Sequence, residues 1–384
     1  MQRQKETVMG ITRRGFFNTG TAAVAGATVG IPGFAQQKIR SAGDILKVGL
    51  ILGDYAHSTG WGPMINGING NTTNPKRTGM IYSHVWHIDR AQAEAFAKRY
   101  GVGTVVSSFD GMIGKVDGVI IDTIMQTPWI HKLAEPYLAN GIPVFSDRPG
   151  NDAVWKVKKL IDLATKHNTP FWSGSSLERM YQCIQAAEHH PPETITGYEA
   201  WSEGAPSFYC HGLHGTWWTH KITGGGIEAV SYKTADWSKG GGDMTVRHKD
   251  RGNGSYTGVV HHEKRENCLI WTRFNGSDQV YRYDTGHWQN FVYLPLLLSV
   301  QDMFYHGLDR VPESYDSYLE KSKFFLSAFR SHLRENGEFV ALDDLDEGWA
   351  VGCPWGHPNM STKAVYDAYT KLLGKEDGEL RPPA

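Results

Sequence analysis

From Leu46 to Leu52 the chain is apolar at nearly every position, the pattern of a strand covered on both faces. A polar turn, Gly53-Asp54-Tyr55-Ala56-His57-Ser58-Thr59-Gly60, leads into a mixed apolar segment at 61–68. Residues 80–86 read as a second strand, 90–100 as an alanine-rich amphipathic helix, 104–108 as a short strand and 118–122 as another. A helix at 129–139, a strand at 143–146, a helix at 151–167 and a strand at 170–173 complete the series. Strands and helices alternating at this spacing predict one doubly wound parallel sheet, the Rossmann-type α/β fold, over residues 45–176.

After about Ser176 the pattern changes. Residues 180–190 read as a helix, followed by alternating apolar and polar runs separated by glycine turns. Residues 256–262, 267–274 and 279–283 are expected to be neighbouring antiparallel strands. Long amphipathic helices at 291–306 and 315–335 and a short strand at 338–342 follow. Residues 177–384 therefore predict an α+β domain with an open mixed or antiparallel sheet.

With 384 residues, 40% hydrophobic and 21% charged, the chain is long enough for two cores and has an ordinary globular balance. The net charge of −1, with no run of one sign, provides no footprint for nucleic acid or an anionic membrane surface. Residues 1–35 read as an address. Thr12-Arg13-Arg14-Gly15-Phe16-Phe17 is a twin-arginine signature, a short Gly/Ala/Thr-rich run follows, and Gly33 and Ala35 precede a cleavage position at Gln36. The run is too short for stable membrane insertion, so the expectation is export by the twin-arginine machinery to the periplasm. Removing that segment takes away four cations and one anion and moves the formal charge to −4. The four cysteines show no CxxC spacing and predict no disulfide.

Residues 118–149, GVIIDTIMQTPWIHKLAEPYLANGIPVFSDRP, combine a buried strand, a Thr127-Pro128 turn, a helix holding His131, and a strand ending in Asp147-Arg148-Pro149. Together with NTPFWSGSSL at 168–177 and the Gly307-x-x-x-Val311-Pro312 turn near Leu319, this order resembles the Gfo/Idh/MocA oxidoreductases. The resemblance implies NAD or NADP, a sugar or polyol substrate, and a homo-oligomer formed through the free face of the second sheet; export of the folded chain to where free dinucleotide is scarce implies that the cofactor is tightly bound. That family ends the corresponding strand in Glu-Lys-Pro. Here Asp147 takes the glutamate position and Arg148 the lysine position.

The glycines Gly49, Gly53 and Gly60 do not make a GxGxxG turn. Asp54-Tyr55-Ala56-His57 is instead similar to the Asp-Thr-Ser-His variant of some relatives, which makes Gly53, Asp54 and His57 candidate cofactor contacts. His87 falls where an acid would bind the adenosine ribose, and Asp89, two residues on, could equally be a helix N-cap. Thr127, Pro128, His131 and Asp147 sit at strand ends, where open α/β sheets bind ligands.

For catalysis, Tyr209-Cys210-His211-Gly212-Leu213-His214 resembles the family's Asp-x-x-x-His turn, with Cys210 at the aspartate position and His214 at the histidine. His214 would carry the proton, with His211 a second candidate, and Arg148 would polarise the substrate. No metal site is expected. His211-x-x-His214 lacks defined partners, and His261-His262-Glu263 on a strand would point to opposite faces. The leading function is an exported NAD(P)-dependent oxidoreductase of a sugar, glycoside or polyol. The alternatives are an NAD-dependent glycoside-cleaving enzyme and a non-catalytic binding protein that kept the fold.

Overall fold

Near-unbroken apolar character puts β1 (Leu46–Leu52) at the middle of the first sheet, where six of its seven residues are buried. The computed structural model describes residues 44–53, 57–66, 78–122, 127–147, 150–202, 208–236, 241–262, 268–284, 292–353 and 363–380. On one side β1 pairs with β2 (Met80–Trp86), and beyond it lies β3 (Thr104–Val105). On the other side stand β4 (Gly118–Asp122), β5 (Val144–Asp147) and β6 (Phe171–Gly174). Every pairing is parallel and the order is β3-β2-β1-β4-β5-β6, the doubly wound sheet that the alternation predicted. The strand order reverses between β1 and β4, which opens a crevice at their carboxyl ends.

Helices cover both faces. α1 (Ser58–Ile65) and α2 (Arg90–Tyr100) bury Trp61, Ile65, Phe96 and Tyr100 against one face. Asp89 caps α2 by accepting the Ala91 N–H at 3.0 Å, and Gly101 closes it at φ 69°. α3 (Ile130–Ala139) and α4 (Val154–Lys166) cover the other face through Leu133, Tyr137, Val157 and Leu160. A late helix, α7 (Leu294–His306), returns to the α1 face and lays Phe304 on Gly118, where a Cβ would stand 2.5 Å from the ring. Only glycine permits that approach.

The second sheet runs β12-β11-β7-β10-β9-β8-β13. Its strands are β7 (Tyr198–Ser202), β8 (Ile227–Lys233), β9 (Asp243–His248), β10 (Tyr256–His262), β11 (Cys268–Phe274), β12 (Val280–Asp284) and β13 (Val340–Ala341). β11 and β12 are antiparallel neighbours, as expected. β10 and β11 are not neighbours: β7 lies between them, parallel to β10 and antiparallel to β11. Alternation identifies a strand, whereas its partner is set by packing far away in sequence. α5 (Tyr181–His189), α6 (Leu213–Thr223) and α8 (Tyr315–Leu333) join this sheet in a core around Trp217, Trp218, Phe325 and Phe329. The last helix, α9 (Lys363–Leu373), packs Tyr369 onto Trp129. All described residues fall within one compact unit, Ala35–Ala384, and among them no helix is long and apolar enough to cross a membrane.

His261 and His262 point to opposite faces of β10. His261 meets Asp243 and Glu199 at the surface, while His262 is fully buried beside Phe208. Burial pushes His248 and His262 down to about 3. A histidine depressed in the folded state adds stability that is present at neutral pH and lost as pH falls from its unfolded value towards 3. Each imidazole should therefore cost about 2 kcal/mol of stability by about pH 5. Urea midpoints measured from pH 7 to 5 should fall, and the slope should be shallower in His262→Gln.

Candidate functional site

Four strand ends define the candidate site. β1 leads through Gly53 towards His57, which sits at the N-terminus of α1, and the buried runs of β4 and β5 close on single acids, Asp122 and Asp147. The His57 Nδ1–Asp147 Oδ2 distance is 2.5 Å. Asp122 Oδ2 accepts the Ser58 N–H at 2.7 Å and the Ser58 hydroxyl as well. The carboxylates of Asp122 and Asp147 are buried and His57 is largely so, 13% of its side chain being exposed. Tyr293, just before α7, lays its ring 5.7 Å from that of His57.

One strand over, β6 hands its chain to Ser175, whose hydroxyl is 2.6 Å from His214 Nδ1 on α6. Ser175 caps a short 3-10 turn by accepting the Leu177 N–H, and Glu178 reaches back to the Ser175 N–H at 2.7 Å. Glu178 also meets Lys321 of α8 at 3.1 Å. The His214 ring is thus held from the first sheet through Ser175. Asp147 and Gly174 are register partners, so the His57–Asp147 and Ser175–His214 pairs stand on adjacent strands.

Of the residues expected from sequence, His57, Asp147 and His214 line this edge, and Gly53 is buried at the end of β1. His211 lies in the π-helical turn Phe208–Gly212, its ring centroid 6.1 Å from that of His214. Asp54 and Arg148 lie outside the described residues. His87 is buried, with Nδ1 accepting the Asp89 N–H at 3.0 Å. Thr127 and Pro128 are buried, and the Pro128 carbonyl accepts from Lys156 Nζ at 3.0 Å. His131 packs on Trp155 with Nε2 3.7 Å from Glu376, and burial pushes its pKa down to about 3. Lys156 joins Asp152 and Glu376 at 2.8 and 2.9 Å, so a segment from the end of the chain covers this turn.

Sequence reasoning missed Asp122, Ser58 and Ser175. Asp122 offered a signal of its own, a lone acid closing an apolar strand, as Asp147 also does. Burial, then the Asp147 charge, raises Asp122 from 3.8 to about 6. A carboxyl raised on folding contributes stability that is present at acid pH and lost as pH rises through about 6. Asp122→Asn should therefore raise the melting temperature near pH 8 and change it little near pH 5.

The frame suits a dinucleotide: a strand-order reversal, a helix N-terminus at the crevice, and an α1 amide that already binds an anionic oxygen, that of Asp122. Ser58 N–H would hold a phosphate oxygen once Asp122 releases it, and the carboxyl edge of β5 and β6 would face the nicotinamide end.

The fold and its crevice define a Rossmann-type protein with a second, mixed-sheet half. Residues 69–175 match the family model GFO_IDH_MocA, described as an oxidoreductase family with an NAD-binding Rossmann fold. No curated protein matches the chain in sequence. Its structure is similar to apo scyllo-inositol dehydrogenase from Lactobacillus casei, with TM-score 0.63 and 14% identity over 79% of this chain and 100% of that one. The same enzyme with bound NAD(H) and scyllo-inositol gives 0.60 and 15%, over 78% and 100%. Myo-inositol 2-dehydrogenase from Lactobacillus plantarum gives 0.58 and 15%, over 77% and 99%. Identities this low speak to the fold alone.

Proposed function

We propose that the protein is an NAD(P)-dependent oxidoreductase of a sugar, glycoside or related polyol. The observation that carries this reading is the His214–Ser175 pair, an imidazole held by a hydroxyl beside the carboxyl ends of β5 and β6. Alcohol oxidation requires a group that removes the hydroxyl proton as the carbinol hydride leaves. His214 is the side chain suited to that task, and Ser175 orients its ring. The cofactor, when bound, supplies the hydride acceptor. Ser58 N–H would position its phosphate, and the aromatic wall of buried Trp61 and half-buried Tyr293 beside His57 would keep water out. The similar inositol dehydrogenases make cyclic polyols the first substrates to try.

Export belongs to the same reading and is supported by Arg13-Arg14 and the small-residue run behind them, which lie outside the described residues. A homo-oligomer is supported by Trp201 and Trp271, half-buried on the second sheet with ring centroids 4.1 Å apart. One observation favours a non-catalytic binding protein instead: Asp122 occupies the Ser58 amide.

The test is to produce the chain with residues 1–35 present, purify it, denature it and seek released dinucleotide by mass spectrometry. Titration with NAD and NADP and a panel of inositols and sugars follow. Bound or binding dinucleotide together with polyol-dependent reduction supports the reading. Glycoside cleavage without net nicotinamide reduction would move it to the glycoside-cleaving alternative. Neither dinucleotide binding nor turnover would overturn it in favour of the binding protein.

A further inference from the structure

Two carboxylates and one imidazole converge from three strand ends in the crevice, and their ligating atoms all lie within 4.8 Å of one another. Asp122 and Asp147 are buried, so their charges are not relieved by water. Asp122 is oriented by Ser58, whose N–H and hydroxyl both donate to Oδ2. Its other oxygen, Oδ1, is fully buried and has no hydrogen-bond partner among the described residues. A buried carboxylate oxygen left in that state is costly unless something positive meets it.

We infer that His57, Asp122 and Asp147 form a binding site for one divalent transition-metal ion, of the Zn2+ or Mn2+ kind. The donor set argues for that class. One imidazole nitrogen with two carboxylate oxygens suits Zn2+ or Mn2+ better than Mg2+, which prefers oxygen and water. The charge also matches, since a dication balances the two carboxylates with the imidazole neutral. The short His57–Asp147 contact brings an imidazole nitrogen and a carboxylate oxygen together at the point where a cation would bind. Ser58 supports the site from behind by fixing the Asp122 carboxylate and leaving Oδ1 to the ion. Three protein ligands leave further coordination positions for water or for a ligand oxygen in the crevice. Ion binding keeps Asp122 on the Ser58 amide and so would compete with a cofactor phosphate there, but it is measured without dinucleotide or turnover, which separates its failure from that of the oxidoreductase reading.

The test uses the full chain, stripped with a chelator and titrated with Zn2+ by calorimetry and with Co2+ by its ligand-field absorption. About one equivalent should bind, with a cobalt spectrum showing nitrogen and oxygen ligation. Asp122→Asn and His57→Gln should each weaken binding by at least about 100-fold, beyond what loss of a supporting group costs, and Ser58→Ala by about tenfold. His261→Gln, which alters the exposed His261–Asp243–Glu199 cluster, should change nothing. Circular dichroism checks that each variant is folded, and Ser58→Ala keeps all three ligands should the others fold poorly. The absence of ion binding by the unmodified chain, or binding that survives Asp122→Asn and His57→Gln unchanged, would overturn the assignment.

Discussion

Lys321→Met should destabilise the protein by about 3–5 kcal/mol near neutral pH, the scale of a buried ion pair that loses one partner. Lys321 is fully buried on α8 between Glu178 and Glu313, and its ammonium lies 4.2 Å from the Trp217 ring centroid. Burial works against both charge signs here. It raises Glu178, while the two carboxylates outweigh it on Lys321 and raise that group too. Methionine fills the space and leaves two acids facing each other without a cation. The measurement is a chemical denaturation midpoint for wild type and variant. The deficit should shrink below about pH 5, as the unpaired carboxyls take up protons. An equal deficit at both pH values would mean that packing against Trp217, not charge, is what was lost. Because Glu178 also receives the Ser175 N–H, the change should reach the His214 ring through Ser175.

His214→Ala should lower turnover of a polyol substrate by about 10²- to 10⁴-fold, the usual contribution of a positioned proton carrier. Its effect should fall on kcat more than on KM, and the melting curve should stay near that of wild type. Ser175→Ala tests the positioning role separately. It keeps the imidazole and removes the hydroxyl that holds it, so a smaller loss and a shifted pH profile are expected. His211→Ala serves as the comparison, since the Ser175 hydroxyl is on His214 and not on His211. If His211→Ala carried the larger loss, the roles given to the two histidines would have to be exchanged.

Much of the site was legible because strand ends are legible. A buried parallel strand is an apolar run, so the polar residue that stops it is also the residue delivered to the carboxyl edge. Asp147 was singled out by its strand-end place together with the family's glutamate position, and Asp122 could have been by the first of these. The Thr127-Pro128 turn shows why the same logic is incomplete. The turn forms where expected, yet Lys156, Glu376 and the Trp129 Nε1–Gly374 carbonyl contact bury it beneath a segment more than two hundred residues away. His131 belongs to that network, and its chemistry was decided by residues that no local pattern could relate to it.

The division follows from the range of the forces. Solvent exclusion acts residue by residue along each strand and helix, so the element types, the parallel sheet and the change of pattern after about Ser176 were determined by the sequence alone. The second sheet was different, because alternation left open which strand would lie beside β10, and only packing across the whole domain inserted β7 there. The same holds for the convergence of His57, Asp122 and Asp147. Each is an ordinary residue at the end of its own segment, and only the three-dimensional closeness of β1, β4 and β5 makes their charges act on one another.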